Sequence, residues 1–154
     1  MGIMKKKLLI ALAILLAIQL FRIDKTNKPI NKKLDYVSLT HAPKNIEKIL
    51  EKSCYNCHSN QTIYPWYANV APISWLVKSH INEGKKFINF SEYGLYNVYQ
   101  KDHINKGLYE VIKNGRMPLS SYLLLHQEDN LSNEQRQELL NWFSIILNKK
   151  NSIK

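Results

Sequence analysis

The chain has 154 residues, 45% of them hydrophobic, two cysteines and a formal net charge of +10. A chain of this length holds one domain, and its charge is uneven: +3 over residues 1–21, +3 over 22–40, only +1 over 41–147 and +3 over 148–154. The expected domain is therefore nearly neutral, which argues against a nucleic-acid partner, because phosphate recognition needs clustered cations on a folded surface.

Lys5, Lys6 and Lys7 precede an apolar run from Leu8 to Phe21 that only Gln19 interrupts. A charged start followed by an apolar run is the pattern of an export segment. At ~1.5 Å per residue the run spans about 21 Å, short of a hydrocarbon core of ~30 Å, which suits a cleaved signal peptide. No small-x-small pair follows the run, which favours an uncleaved anchor whose Lys7 and Arg22 snorkel to the interface. Residues 1–21 are thus expected to be a signal anchor or signal peptide, and to bring the chain to a membrane. Residues 22–42 are polar, rich in Lys and Asn, and contain Pro29; without a sustained apolar period they read as a polar tether. The domain is expected over 43–150.

Within it, four helices can be placed, and no run alternates with period two, so the expected fold is all-α. In the first, Ile46, Leu50, Cys54 and Cys57 recur at helical spacing, with the cysteines on its apolar face or just past its end. The second is expected to open at Pro72, to carry Ile73, Leu76, Val77, His80 and Ile81 on one face, and to stop at Gly84. The third carries Ile104, Leu108, Val111 and Ile112 and ends at Gly115. Ser132 and Gln135 form a capping box for the fourth, whose stripe is Leu139, Trp142, Phe143, Ile146 and Leu147.

Cys54-Tyr55-Asn56-Cys57-His58 places two thiols three apart with an imidazole directly after them, the attachment pattern of c-type haem. Each thiol adds to one vinyl group, and the adjacent imidazole binds the iron. A thioredoxin-type redox pair would sit beside a βαβ pattern, which is missing here. A structural zinc would need two further ligands recruited from distant histidines. A disulfide between residues three apart is geometrically awkward. Tyr64, Trp66 and Tyr67 form an aromatic cluster placed to contact a haem, or simply to anchor a loop. His80 is a candidate distal ligand, against the reading of a satisfied core histidine.

From Cys54 to Trp142 the chain resembles the haem-binding domain family of small exported cytochrome-c-like proteins. The resemblance is carried by CYNCHSNQTIYPWYANVAPISWLVKSHINEGKKFINFSEY at residues 54–93 and by GRMPLSSYLLLHQEDNLSNEQRQELLNW at residues 115–142. It implies covalent attachment of one haem c and an electron-transfer role without identifying partners. The expected architecture is a cytochrome-c-like bundle of about four helices around that haem, an electron carrier and not an enzyme, with redox proteins as the expected class of partner. Small His/Met cytochromes present their distal loop after the third helix, where Met117 stands; beyond the N-terminal segment it is the only methionine of the chain. Pro118 biases Met117 away from helical geometry, so that its thioether projects from a loop. Met117 is the expected sixth ligand, with His80 its rival. Because c-type attachment occurs outside the energy-transducing membrane, the domain is expected on the periplasmic or exterior side of a bacterial inner membrane. The alternatives are a haem-based sensor or peroxidase-like protein with an open distal site, and a haem subunit of a respiratory complex. Redox partner and oligomeric state are left open.

Overall fold

The computed structural model describes residues 2–151, and every regular element among them is helical. The helices are α1 (Ile3–Ala17), α2 (Tyr36–Thr40), α3 (Lys44–Ser53), α4 (Tyr55–His58), α5 (Ile73–Phe87), α6 (Val98–Lys113), α7 (Ser120–Leu123) and α8 (Asn133–Asn151), joined by loops and short 3₁₀ turns. The all-α expectation holds, and α3, α5, α6 and α8 are the four helices that periodicity placed.

Local chemistry sets several of their ends. Ser132 and Gln135 cap α8 reciprocally, each backbone N–H donating to the other side chain at 3.0 and 3.2 Å. Asn97 and Gln100 do the same for α6, both at 2.9 Å. At the other end of α6, Gly115 takes φ +64° while its N–H bonds to Ile112 O and that of Arg116 to Val111 O. This is the Schellman closure that a glycine permits without a Cβ clash.

The second expected helix differs in two ways. It runs through Gly84 to Phe87, and Ser74 and Ile81 are its buried residues, whereas Ile73, Leu76 and His80 are exposed. The reason lies in the partner: the 3₁₀ turn Trp66–Asn69 and α4 pack on α5, so its buried face is the one opposite those contacts' solvent side, which its own apolar spacing does not specify.

The core gathers Tyr36, Leu50, Ile88, Phe90, Leu139 and Phe143, all essentially inaccessible to solvent. α6 and α8 make the most extensive helix pairing, and α3 packs on both α4 and α8. The presence of Tyr36 among these residues changes the reading of residues 22–42. Asp35 caps α2 by accepting from Val37 N at 2.9 Å, and Tyr36 lies edge-on to Phe90 and Tyr93 with ring centroids 5.3 and 4.7 Å away. The C-terminal part of the expected tether therefore belongs to the core, ahead of Pro43. A five-residue helix with one buried aromatic offers no period to read.

The preceding residues also lie on the domain. The Gln19 side chain accepts from Ala71 N at 2.9 Å and donates to Ala71 O at 3.0 Å, and Trp75 Nε1 donates to Phe21 O at 2.9 Å. Lys25 bonds to Asn69, and Asn27 donates to Thr62 O at 2.9 Å. α1 itself buries no residue and is apolar on all sides beyond its lysines. Among the described residues no helix is long and apolar enough to cross a membrane.

Candidate functional site

α3 ends at Ser53, and Cys54 caps it, its N–H bonding to Leu50 O at 2.9 Å. The chain then tightens into α4, where the N–H groups of Cys57 and His58 both donate to Cys54 O at 3.1 and 3.0 Å. One helix terminus and one turn thus gather the two thiols and the imidazole.

Buried polar contacts fix this turn from outside. Tyr55, stacked on Phe90 at 5.1 Å, donates its hydroxyl to Asp35 Oδ1 at 2.9 Å. Ser59 Oγ donates to Tyr55 O at 2.8 Å, Asn60 N to Ser91 Oγ at 3.1 Å, and Asn89 Nδ2 to Asn60 Oδ1 at 2.8 Å. These paired groups tie the residues after the motif to the segment after α5, which burial without partners would not allow.

His58 lies against that same segment. Its Nδ1 faces Ile88 O at 3.4 Å, and its ring sits edge-on to Phe90 at 6.2 Å. The carbonyl accepts from Nδ1–H, which leaves Nε2 on the opposite edge of the ring as a lone-pair donor. Burial holds the His58 pKa below its ordinary value, opposed by the carbonyls of Ile88 and Gly84, so the ring is neutral near pH 7 and suited to metal ligation. Gly84 makes the approach of α5 possible. A Cβ there would stand 3.0 Å from Cys57 O and 3.2 Å from His58 Cε1.

In front of these groups lies a cavity of about 320 Å³, within the size range of roughly 300–1,000 Å³ common for cofactor sites. Cys54, Cys57, His58, His80 and Met117 all line it. Leu50, Leu108, Ile112, Leu139 and Phe143 form its apolar wall. The half-buried thiols face the cavity, and burial pushes Cys54 up to about 12, with Cys57 and Asp129 adding to the rise, and raises Cys57 too. Both cysteines are free, uncharged thiols.

Met117 follows the Gly115 closure, half-buried and packed against the core. Arg136 holds the loop by donating to Ile112 O at 2.7 Å and Met117 O at 3.5 Å. His80 is exposed at the cavity rim. Tyr64, Trp66 and Tyr67 do not line the cavity. Tyr64 accepts from Lys78 Nζ at 3.1 Å, Trp66 is 78% exposed, and Tyr67 OH lies 2.8 Å from His126 Nε2. The aromatic cluster sits on the turn before α5, with Trp66 exposed and Tyr64 and Tyr67 half-buried.

A different aromatic reaches the cavity. Tyr122 lines it, stacks on His126 at 4.4 Å and donates to buried Asp129. Sequence reasoning missed Tyr122 because α7 is too short to carry a period. It also missed Gly84 as a contact point, although a glycine inside an apolar helical pattern is a signal of close approach.

No curated protein and no solved structure matches the chain. Residues 13–145 match the family model described as a haem-binding domain, a span that includes every cavity residue named above, and the chain belongs to that family.

Proposed function

We propose that the protein is a membrane-tethered, mono-haem c-type cytochrome that carries electrons between redox proteins and is not an enzyme. The observation that carries this reading is the convergence of Cys54, Cys57, His58 and Met117 on one apolar cavity. Two thiols beside a neutral imidazole, facing an apolar space, are the donor set that a covalently held haem needs. When bound, the haem supplies a one-electron couple at its iron, tuned by the axial donors and the surrounding burial.

The chain's own residues would divide the work. Cys54 and Cys57 would hold the haem c through two thioethers. His58 would present Nε2 to the iron, oriented by its Nδ1–H bond to Ile88 O. Met117 would supply the sixth ligand; its burial against the core, where His80 is exposed, supports the choice. A thioether favours ferrous iron and raises the potential relative to two imidazoles. Leu50, Leu108 and Phe143 would exclude water from the ring. α1, apolar on every side behind Lys5, Lys6 and Lys7, would anchor the chain in a bilayer with those lysines on the cytoplasmic side and the domain on the outer, periplasmic side, and the near-neutral domain would bind no nucleic acid.

The test is spectroscopic. Haem should stay with the denatured wild-type chain, and replacing both Cys54 and Cys57 by alanine should abolish this; haem extracted from the wild type by acid and solvent would overturn covalent attachment. Met117→Ala should lose the weak red thioether-to-ferric band, lower the potential and open the iron to carbon monoxide. A band that survives the substitution would remove Met117, and carbon monoxide binding by the wild type would favour the open-site sensor.

A further inference from the structure

α1 does not hang from the domain by a free linker. The Gln19 side chain closes both the N–H and the C=O of Ala71 at 2.9 and 3.0 Å, one residue after the end of the last apolar stretch at Ile18 and at the entry to α5. Two residues on, Phe21 O accepts from Trp75 Nε1 at 2.9 Å, and Phe21, Arg22 and Ile23 share a narrow cleft with Ala68, Asn69 and Ser74. These bonds fix the end of α1 to one particular face of the domain.

That face is apolar and open. Leu20 is 83% exposed, Phe21 69%, Val70 40%, Ile73 48% and Trp75 39%. Trp66, one 3₁₀ turn before Asn69, is exposed as well. Arg22 and Lys25 follow in the chain, Lys25 bonding to Asn69, and Lys78, one turn after Trp75 on α5, donates to Asp24 O at 2.5 Å. Apolar residues, indoles and then cations, in that order along the direction leaving an apolar helix, match the layering of a lipid interface: acyl boundary, amphipathic rings, anionic headgroups. A protein partner has no reason to be placed in continuity with the end of α1, whereas a bilayer that receives α1 must meet whatever surrounds its end.

We propose that this face, formed by Leu20, Phe21, Val70, Ile73 and Trp75, rests on the lipid surface that α1 enters, so that Gln19 sets the orientation of the whole domain on the membrane. The proposal rests on the anchoring role of α1 given above. Gln19 is a positioning residue here. Along α5, His80 lies about 10 Å and Gly84 about 16 Å beyond Ile73 at ~1.5 Å per residue, so the cavity is held within that distance of the headgroups and turned by the same fixed angle.

The experiment uses the full haem-loaded chain in vesicles of equal parts phosphatidylcholine and phosphatidylglycerol carrying a photoactivatable lipid, with the labelled residues located by mass spectrometry. Label is expected on residues 8–17 and also on Phe21, Ile73 and Trp75, and none above background on Val98 and Tyr99, which are exposed to 66% and 85% on α6 and serve as the control. Label on residues 8–17 alone would overturn the proposal and leave the anchor standing; no label on residues 8–17 would sink the anchor first. Protection of Phe21 and Trp75 together with a dimeric elution of the reconstituted protein would assign the face to a second copy and overturn the lipid. In Gln19→Leu, which removes both bonds to Ala71 at a half-buried side chain outside the hydrophobic core, label on residues 8–17 should persist while that on Ile73 and Trp75 is lost. Unchanged label at Trp75 in that variant would overturn the role of Gln19.

Discussion

At Gly84, two small effects of opposite sign compete. Alanine is the better helix former by about 1 kcal/mol, yet its Cβ would meet the Cys57 carbonyl at 3.0 Å, a backbone atom held by α4, and the His58 ring at 3.2 Å. Overpacking against groups that cannot move costs about 1–3 kcal/mol. Gly84→Ala should therefore lower the denaturant midpoint, and its loaded form should show an altered axial-ligand spectrum because the His58 ring is displaced. Asp35 offers a second test. Burial raises its pKa, against the hydrogen bonds from Tyr55 and Val37 that lower it. The folded chain therefore holds this proton to higher pH than the unfolded chain, and stability from this group falls as pH rises from the ordinary value of 3.8 through the raised one. Asp35→Asn keeps an acceptor for Tyr55 and Val37. The stability of the wild type relative to this variant should decline across that window and level off above it, as read by urea midpoints at each pH.

Among the elements, α8 joins a cap to a wall. Ser132 closes its first turn, and Leu139 and Phe143, about two and three turns on, face the cavity. Ser132→Ala should cost about 1 kcal/mol, the usual worth of such a cap, without changing the haem spectrum, because the wall residues lie beyond the frayed turn. Leu139→Ala should cost about 2–5 kcal/mol and shift that spectrum too. Both features were legible in the amino-acid order, since a capping box and a helical stripe depend on residues three or four apart. The Gly115 end of α6 and the motif Cys54–His58 were legible for the same reason. The true end of α5 and its buried face were not, because α4 and the turn Trp66–Asn69 determine them, and these are distant in sequence. Residues 19–36 escaped as well. Their hydrogen bonds run to Thr62, Asn69, Ala71 and Tyr55, and a polar strap tied to backbone groups has the composition of a free linker. The Tyr64–Tyr67 cluster is close to Cys57 in the chain but does not line the cavity; Tyr67 reaches a lining residue through His126, which stacks on Tyr122.

Taken as one molecule, the domain is built around a space. Leu50, Leu108, Ile112, Leu139 and Phe143 belong both to the core and to the wall of the 320 Å³ cavity, so the chain without its haem has a hollow interior. Core hollows cost roughly 20–25 cal/mol per Å³ where water does not fill them, and opening at His80 relieves part of this. The variant lacking both Cys54 and Cys57 should melt roughly 10 °C or more below the loaded wild type, given ~2–4 °C per kcal/mol for a chain of this size. That shared wall also separates two kinds of assembly by mass action. A ligand held reversibly stabilises a fold by an amount that shrinks with its free concentration, so serial dilution would lower the melting temperature step by step. If Cys54 and Cys57 bind the filling of the core permanently, its effective concentration is fixed at the moment of maturation, and the melting temperature should be the same at every dilution.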